Sequence, residues 1–458
     1  MTRKERNERI SVHPIRTFLM LAMLGLLLLV ATVVQGEDQA QKSEAGAAIS
    51  ETVAGLDFKG CIQLALEQSS RFRESALEIE KRQLDESDSR WSMAPYFYLK
   101  TSYKLSESSQ DKIGFRDYSI SFSTGAYDPF KAYFNLKAQK LITKIAILRH
   151  QKIISEGIYD LARRLLELDT YHQMAASQEE LIKVARQELT FIEQRQMLGR
   201  ATSLDVQVAR QELALARAEK KKILSLMRDA REALDLLLGL VPKQKIILNL
   251  PEARRQVLGP FDPENASFEQ VRSRSFDLRI HELEKRAQEW KITAAYTRYL
   301  PDLDLGVRTP DLSDTEEERD YFISIGASFP IWEGLSKKRN IDRQKKILKQ
   351  REIESDLSEN RLSIRWRAAK RALRNAETTL ELARTAEGLA RLRERKSEIH
   401  YKAGSESLPA LLRRRIERIE ARKELVSAKQ DRDLLLLRLR HLSGDLFAAY
   451  VKVASGEE

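Results

Sequence analysis

The side chains that most often carry catalysis or hold metal ions are few and scattered in this 458-residue chain. Cys61 is its only cysteine, so neither an intramolecular disulfide nor a cysteine-based metal site can form. None of the six histidines is spaced as a metal ligand from another histidine or from Cys61. There is no phosphate-binding glycine loop and no nucleophile elbow. We therefore expect no enzymatic activity, no metal ion and no cofactor, and a buried thiol at Cys61.

The basic charge of the chain and its N-terminus indicate an exported protein. The formal net charge is +11 at pH 7, which taken alone invites a nucleic-acid reading. However, a basic stretch at residues 3–16 precedes an unbroken apolar run at residues 18–34, the pattern of a secretory signal. We expect residues 1–36 to be a signal peptide, residues 37–55 to be a linker, and the exported chain to bind no nucleic acid. An uncleaved signal anchor is the alternative, since the apolar run nearly reaches the length of a spanning helix.

The chain repeats itself, with equivalent positions about 205 residues apart. The corresponding pairs are Pro95 and Pro301, Asp117 and Asp320, Gly199 and Gly404, and Gly239 and Gly444. They keep one order and nearly one displacement, which indicates a tandem duplication. The sequence therefore divides into a first repeat at 56–240, a connection at 241–265, a second repeat at 266–444 and a C-terminal tail at 445–458.

Each repeat contains one very long helical segment followed by a tight turn. No proline interrupts residues 131–198 or 336–402, and apolar residues recur there at helical intervals. At about 1.5 Å per residue, each helix would be about 100 Å long, far more than a globular domain needs. Gly199 and Gly404 suit the left-handed position after a helix, and caps for a returning helix follow both glycines. A helical hairpin is therefore expected in each half.

Four short segments alternate apolar and polar residues with a period of two, which is typical of strands. They cover about 96–105, 117–127, 302–309 and 321–331. Their apolar side includes Leu99, Tyr103, Ile120, Phe122, Leu305, Ile323 and Ile325. A soluble, half-buried sheet gives the same alternation. The export signal, the aromatic residues at the strand ends and the polar loops favour instead strands of an outer-membrane barrel, with this apolar side facing lipid.

Four strands are too few to close a barrel, and open strand edges do not occur in lipid. A membrane location therefore requires association of several copies, and three copies would supply twelve strands. Each copy would then contribute one sector whose apolar helix faces pack against its neighbours.

At this point the layout resembles the TolC family of outer-membrane efflux proteins, from about residue 56 to residue 444. The most specific stretches run from Leu198-Gly199 through Leu204-Asp205 and from Ala403-Gly404 through Leu408. The resemblance implies a mainly α-helical protein with a small β part, built from a duplicated helix-strand-strand-long helix-helix unit. It implies a homotrimer with a 12-stranded outer-membrane β-barrel on a long α-helical barrel that extends into the periplasm.

The function that the resemblance implies is that of a channel-tunnel subunit in a tripartite efflux or type I secretion system. Such a subunit is a passive exit duct that works with a periplasmic adaptor protein and an inner-membrane pump. The residues expected at the periplasmic tip, where the adaptor would make contact, are Gly199, Leu204, Asp205, Gly404 and Leu408. Plain hairpin geometry accounts for the same residues.

Some members of the family carry aspartates six and nine positions after the second tip glycine, which form an acidic entrance constriction. This chain has Ala410 and Arg413 at those positions. Further basic residues lie nearby: Arg391, Arg393, Arg395, Lys396, Arg414, Arg415 and Arg418. We expect a basic entrance that favours anions. The alternative is that Arg413 points outward, to solvent or to an adaptor.

A second class of function remains open. A signal-anchored periplasmic coiled-coil adaptor or envelope scaffold protein would also be exported and rich in long helices. It predicts one continuous hairpin and a lipoyl-like or sandwich domain, and it does not explain the duplicated strand pairs.

Overall fold

The computed structural model describes residues 55–107, 113–240, 246–308, 322–329 and 334–451. The predicted signal peptide at 1–36 and residues 37–54 of the predicted linker lie outside these ranges. Residues 241–245 of the connection and 452–458 of the tail lie outside them as well.

The helices and strands follow one another as α1 (Phe58–Gln68), α2 (Ser70–Trp91), β1 (Tyr98–Glu107), β2 (Ile113–Ser123), α3 (Pro129–Met197), α4 (Ser203–Leu238), α5 (Leu250–Leu258), α6 (Phe268–Arg274), α7 (Phe276–Thr297), β3 (Asp302–Arg308), β4 (Phe322–Ser328), α8 (Ser336–Lys402), α9 (Leu408–Leu442) and α10 (Asp445–Tyr450). The described part is mainly helical with one small antiparallel sheet, as the sequence predicts. The succession α2, β1, β2, α3, α4 recurs as α7, β3, β4, α8, α9.

Four glycines end the four longest helices in the same way. Gly199, Gly239, Gly404 and Gly444 have φ angles of 67°, 74°, 75° and 71°, in the left-handed region that glycine adopts without strain. Each follows the end of one of the helices α3, α4, α8 and α9. The two halves of the chain therefore stop their helices with the same backbone conformation at equivalent positions.

The sheet joins the two halves. Its strand order is β1-β2-β3-β4, and every neighbouring pair is antiparallel. The pairing between halves is short: Ser121, Phe122 and Ser123 of β2 lie opposite Arg308, Val307 and Gly306 of β3. In the described part of the chain, the outer edges of β1 and β4 pair with no further strand.

The strand ends differ from those expected from the alternation. β2 ends at Ser123 rather than near residue 127, because Gly125 has a φ of 61° and turns the chain out of the ladder. Thr124 compensates by accepting the backbone N–H of Leu305 on Oγ1, at 2.9 Å. Tyr127 returns to the sheet only through an isolated bridge to Leu303.

The other strand bounds shift by a few residues. β1 spans Tyr98–Glu107 rather than 96–105, because its pairing with β2 continues as far as Ile113. β3 covers Asp302–Arg308, and β4 covers Phe322–Ser328. Residues 309, 321, 330 and 331, where strands were also expected, lie outside the described ranges.

Helix α3 is the centre of the helical part. It packs against α2 and α4 from its own repeat and against α7 and α9 from the other repeat. Helix α8, its counterpart, packs against only α7 and α9 among the long helices. This asymmetry leaves α2 and α4 along one side of the chain and α8 along the other.

The main hydrophobic core lies where the short helices α1, α5 and α10 cover the middle of α3. Its fully buried members include Phe58, Leu161, Leu234, Leu238, Val257 and Leu446. Cys61 is buried in this cluster, as expected, and burial raises the pKa of its thiol to about 11. The thiol is therefore protonated and unreactive at neutral pH.

A buried ion-pair cluster fastens the connection between the repeats to both of them. Arg254 of α5 lies 2.6 Å from Asp169 of α3 and also pairs with Asp433 of α9. Asp433 is 1% exposed, and burial raises the pKa of its carboxyl above the usual range although Arg254 acts against this. Removing one partner of such a cluster leaves a buried charge uncompensated, so Arg254 holds α3 and α9 at one fixed separation.

We expect Gly239→Ala to destabilise the protein more than Gly199→Ala. Both substitutions force a left-handed φ on alanine, which costs about 1 kcal/mol or slightly more. At Gly239 a Cβ would also lie 2.5 Å from the carbonyl oxygen of Gln68, whereas at Gly199 nothing lies within 4 Å. The thermal midpoints of the two purified variants check this, and equal midpoints would contradict the packing at Gly239.

Candidate functional site

The turn between α3 and α4, the first tip, is a complete capping structure. Gly199 N–H donates to Gln196 O (2.9 Å) and Arg200 N–H donates to Arg195 O (2.8 Å), which is the Schellman pattern. Thr202 then caps α4, because its Oγ1 accepts the N–H of Asp205 while the Asp205 carboxylate accepts the N–H of Thr202 at 2.7 Å. This backbone hydrogen bond lowers the pKa of Asp205. Its carboxylate is thus engaged within its own hairpin.

The turn between α8 and α9, the second tip, repeats the stop but not the cap. Gly404 N–H donates to Tyr401 O (3.0 Å) and Ser405 N–H donates to His400 O (2.9 Å). Ser407 occupies the cap position of α9, although its side chain makes no capping hydrogen bond. Pro409, in the first turn, fixes a helical φ there. The second tip therefore begins its returning helix by proline restriction rather than by a capping side chain.

The two leucines expected at the tips differ in accessibility. Leu204 is 66% exposed, whereas Leu408 is half-buried and packs against Val184 and Leu412. Met197 and Leu198, which were not among the residues expected to contact an adaptor, are 84% and 71% exposed beside Gly199. Two large apolar residues next to a helix-ending glycine are the signal that could have identified them. The first tip thus presents an exposed apolar group formed by Met197, Leu198 and Leu204.

Most of the arginines on α9 near the second tip are paired with carboxylates. Arg414 lies 2.8 Å from Glu417, and Arg415 lies 3.6 Å from Glu394 of α8. Arg418 lies 2.6 Å from Glu394 and also pairs with Glu180 of α3. The positive charge expected at the entrance is therefore partly neutralised by interhelical ion pairs. The sequence did not identify Glu180 and Glu394 as partners, because they lie on other helices.

The two positions expected at the entrance constriction have different environments. Arg413 is exposed, and Ala410 is half-buried. Burial and then Glu212 of α4 raise the pKa of Glu188 of α3, whereas Arg413 acts in the opposite direction. Arg413 therefore interacts electrostatically with Glu188. It forms no ion pair within the described ranges, so it stays available to solvent or to a ligand.

The sheet has one apolar and one polar face. Leu99, Phe122, Val307 and Ile323 lie opposite one another in register across all four strands. Leu305 and Ile325 form a parallel row, and Ile325 is 81% exposed. Ile120, opposite Thr101, is half-buried, and the side chain of Tyr103 lies outside the described part.

The other face of the sheet carries small or polar side chains. Ser121 lies opposite Lys100 on one side and Arg308 on the other. Its Oγ donates to Lys100 O at 3.3 Å. Ser324 Oγ likewise donates to Gly306 O at 3.3 Å. A Cβ at position 306 would lie 2.7 Å from Ser324 Oγ, so glycine suits this position. The four strands therefore present one apolar and one polar surface.

Exposed apolar side chains follow both lateral sides of the chain. On α2, Leu77, Leu84 and Trp91 are exposed at intervals of seven residues, and exposed leucines and valines continue along α4. On α8 the exposed set is Ile353, Leu357, Ile364, Leu382, Leu389, Leu392 and Ile399. On α2 this seven-residue spacing is itself a sequence signal of a helix-packing seam.

No other site emerges from the described residues. None of their helices combines the length and the apolar character of a membrane-spanning helix. No group of His, Cys, Asp and Glu side chains among them is arranged to hold a metal ion.

The described part of the chain has the fold of outer-membrane channel proteins. The solved structure of CusC, described in connection with transmembrane channel formation, matches with a TM-score of 0.73 at 15% identity, over 88% of this chain and 95% of CusC. The Campylobacter jejuni CmeC outer membrane channel matches with 0.71 at 14% identity, over 87% and 90%. The open state of the Neisseria gonorrhoeae MtrE outer membrane channel matches with 0.65 at 15% identity, over 88% and 96%.

These likenesses confirm, at the level of the fold, the resemblance that the sequence predicts. No protein-family model and no curated protein matches the chain in sequence.

We expect Arg418→Met to destabilise the protein and Arg413→Met to leave its stability unchanged. Arg418 is mostly buried between Glu180 and Glu394, so its loss leaves two carboxylates under-compensated and costs about 1–3 kcal/mol. Arg413 is exposed, so its replacement shifts stability by less than about 0.5 kcal/mol. Thermal midpoints of both variants provide the measurement; a larger effect at Arg413 would show that the ion-pair network is wrongly described.

Proposed function

We propose that this protein is the outer-membrane channel-tunnel subunit of a tripartite efflux or type I secretion system. In this proposal three copies form a passive exit duct, located in the outer membrane and extending into the periplasm. An inner-membrane pump drives the solutes, and a periplasmic adaptor protein connects pump and duct. Three observations support the proposal: the fold, the two-faced sheet and the open lateral sides of the chain.

The open sides are the observation that carries most weight. At the sheet, β1 and β4 each leave one edge without a strand partner in the described part. Along the helices, exposed apolar residues follow α2 and α4 on one side and α8 on the other. Both sides of the described part of the chain thus combine an unpaired strand edge with exposed apolar residues along the helices. Repetition of such a unit by rotation closes a ring, and three copies give twelve strands.

The two faces of the sheet support a barrel in lipid. A barrel wall needs apolar residues outside and polar residues around the lumen, which is the division that the paired strands show. We assign Leu99, Ile120, Phe122, Leu305, Ile323 and Ile325 to the lipid face, together with Tyr103. Exposed aromatic residues next to the strands, such as Tyr96 and Tyr299, suit the water–lipid boundary.

The tips support contact with a partner. Met197, Leu198 and Leu204 expose apolar surface at the end of an otherwise polar hairpin, which suits a protein that docks there. We assign the adaptor contact to this tip, with Gly199, Asp205, Gly404 and Leu408 shaping the turns. We place Ala410 and Arg413 at the entrance of the duct.

The adaptor or scaffold alternative is less well supported. It requires one continuous hairpin with a separate sandwich or lipoyl-like domain. The part of the chain that the structure describes instead has two helical hairpins and one sheet in which β2 of one repeat pairs with β3 of the other.

A specific contact between copies is suggested by the distances of two features from the tip glycines. A cavity of about 260 Å³ lies beside α2, α3 and α4, lined among others by Phe72, Gly157 and Leu236. The cavity lies about 40 residues along the helices from Gly199, which is about 60 Å. Ile364 of α8 lies the same distance from Gly404. Its side chain is 59% exposed, on the opposite side of the chain. We propose that Ile364 of one copy fills the cavity of the next.

Paired cysteines test this contact. We expect Ile364→Cys combined with Leu236→Cys to form disulfide-linked dimers and trimers on a non-reducing gel. Cys61 does not interfere, because it is buried. The control combines Ile364→Cys with Leu215→Cys, which is also exposed on α4 but about 30 Å further along the helix. Cross-linking of the control pair alone would place the copies in a different register.

A matched pair of arginine substitutions tests the channel itself. Leu99→Arg puts a charge on the apolar face and should prevent assembly, because an arginine in the middle of the bilayer costs about 2–4 kcal/mol in each copy. Ser121→Arg, on the polar face, should assemble and change the single-channel conductance. Outer-membrane fractionation, mass measurement in detergent and planar-bilayer recording provide the readouts. A stable monomer that inserts into lipid, or equal damage from both variants, would refute the proposal.

A further inference from the structure

The two long helices both begin with a basic segment directly after the sheet. Residues 129–155 of α3 contain no acidic side chain, and Glu156 is the first acid of that helix. Residues 336–351 of α8 contain eight Lys or Arg side chains and one acid, Asp342. The next stretch of α8, residues 352–360, reverses this pattern, with four acids and no basic residue. Each long helix therefore begins with a basic segment next to the sheet, and on α8 four acids separate this segment from the basic residues further along the helix.

This placement opposes the usual electrostatics of a helix. The N-terminal end of a helix carries a partial positive charge, which favours acidic side chains and disfavours lysine. Helix α4 follows this preference with Asp205 in its first turn, whereas α3 and α8 have no acidic residue in theirs. The basic first turns, with Lys131 in α3 and Lys338 in α8, are thus disfavoured by the helix alone, and an anionic partner would offset that cost; the effect fades within the first turn and does not extend to Lys140 or Lys345.

Two lysine pairs recur at equivalent positions of the repeats. Lys140 and Lys144 of α3 correspond to Lys345 and Lys349 of α8, with the displacement of about 205 residues that relates the tip glycines. All four are exposed. None of them forms an ion pair with a carboxylate in the part of the chain that the structure describes. We call these four residues the lysine ridge. Their ammonium groups are exposed to solvent; among them, Lys345 interacts with the Tyr296 hydroxyl and then with Asp342.

The contacts of α3 show where its half of the ridge lies. Thr143 and His150 contact α2, whereas Phe134 and Lys152 contact α7. At about 100° per residue, Lys140 and Lys144 fall between these two contact faces. They therefore project from the layer of helices rather than into it. The repeat relation puts Lys345 and Lys349 on the same side of the layer.

Exposed tyrosines accompany the lysines in both repeats. Lys137 Nζ lies 5.4 Å from the centre of the Tyr133 ring, and Lys345 Nζ lies 5.6 Å from the centre of the Tyr296 ring. Both tyrosines are more than 40% exposed. Amphipathic aromatic rings beside cationic side chains are typical of the headgroup level of a bilayer, where an apolar and an aqueous phase meet.

The direction and height of the side chains suit that level. Helical side chains lean toward the helix N-terminus, which in both α3 and α8 is the end nearest the sheet. Lys140 lies about 16 Å along α3 from Pro129. Its side chain can extend toward the sheet, which shortens the distance from its ammonium group to the sheet end of the helix by about 6 Å. Electrostatic attraction extends across a further 8 Å or so at physiological ionic strength.

We propose that the lysine ridge binds the anionic phosphate headgroups of phospholipids in the membrane leaflet just below the sheet. The proposal rests on the proposed function, since it requires the sheet to lie in a bilayer. Three copies would present six lysine pairs around the base of the barrel. In this proposal the ridge sets the depth of the barrel, because on α8 the four acids of residues 352–360 follow it directly and disfavour a position nearer the anionic headgroups.

The experiment compares two quadruple variants that remove the same charge at different places. The first replaces Lys140, Lys144, Lys345 and Lys349 with Gln. The control replaces the exposed tip residues Arg391, Arg393, Arg395 and Lys396 with Gln. Each protein and the wild type are reconstituted in nanodiscs of phosphatidylcholine with or without phosphatidylglycerol, and the lipid retained after release is counted by native mass spectrometry.

We expect wild type and the tip variant to retain phosphatidylglycerol preferentially, and this preference to fall at least tenfold in the ridge variant and in 0.5 M salt. The proposal would be overturned if the ridge variant retained phosphatidylglycerol as preferentially as the wild type does. It would also be overturned if the ridge variant and the tip variant lost this preference equally. A changed ion selectivity in the ridge variant with unchanged lipid retention would also overturn it, because the lysines would then line the duct. A wild-type protein that conducts without lipid preference refutes only the ridge, whereas one that never conducts refutes the proposed function.

Discussion

The arrangement of this chain depends on its two open sides. Among the described residues, the outer edges of β1 and β4 pair with no further strand, which leaves two rows of backbone hydrogen-bonding groups unpaired there; such rows are stable only in water or against another strand. The helices also leave surface uncovered, since α2 and α4 on one side and α8 on the other expose apolar residues. A chain built in this way buries little of its lateral surface by itself. Association of copies is the simplest arrangement that satisfies the sheet and the helices together.

Within one copy, ion pairs connect helices that belong to different repeats. Arg254 joins α3 to α9 near the middle of the helical part, and Arg418 joins α3, α8 and α9 near the tips. Between these two levels Gln178 of α3 donates to Ala216 O and to Glu219 of α4, and Lys423 of α9 pairs with the same Glu219. An interface that runs the whole length of a helix tolerates little change in spacing, so rigid connections at two heights serve the assembly as much as the single chain.

Charge is distributed by height along the molecule. Lysines without carboxylate partners lie next to the sheet, acidic residues follow on α8, and paired arginines with carboxylates lie near the tips. The net charge of +11 therefore says little about any one surface. The basic residues near the second tip suggested an anion-selective entrance, yet Arg414, Arg415 and Arg418 are engaged by Glu180, Glu394 and Glu417. Arg413 and the exposed Arg391, Arg393, Arg395 and Lys396 form no ion pair within the described ranges, so unpaired positive charge lies both next to the strands and near this tip.

The sequence by itself determined the local structure of this protein. Proline-free periodic segments determined the two long helices, glycines at one displacement determined the turns and the duplication, and two-residue alternation determined the four strands, because each of these signals arises between residues close in the chain. Only the tertiary structure decided the pairing of β2 with β3, the partners of Arg254 and Arg418, and the burial of Leu408. The strand end at Ser123 also depended on it, since Gly125 turns the chain where Thr124 meets Leu305 of the other repeat. These features join residues far apart in sequence, and no local pattern encodes which distant side chain will be adjacent.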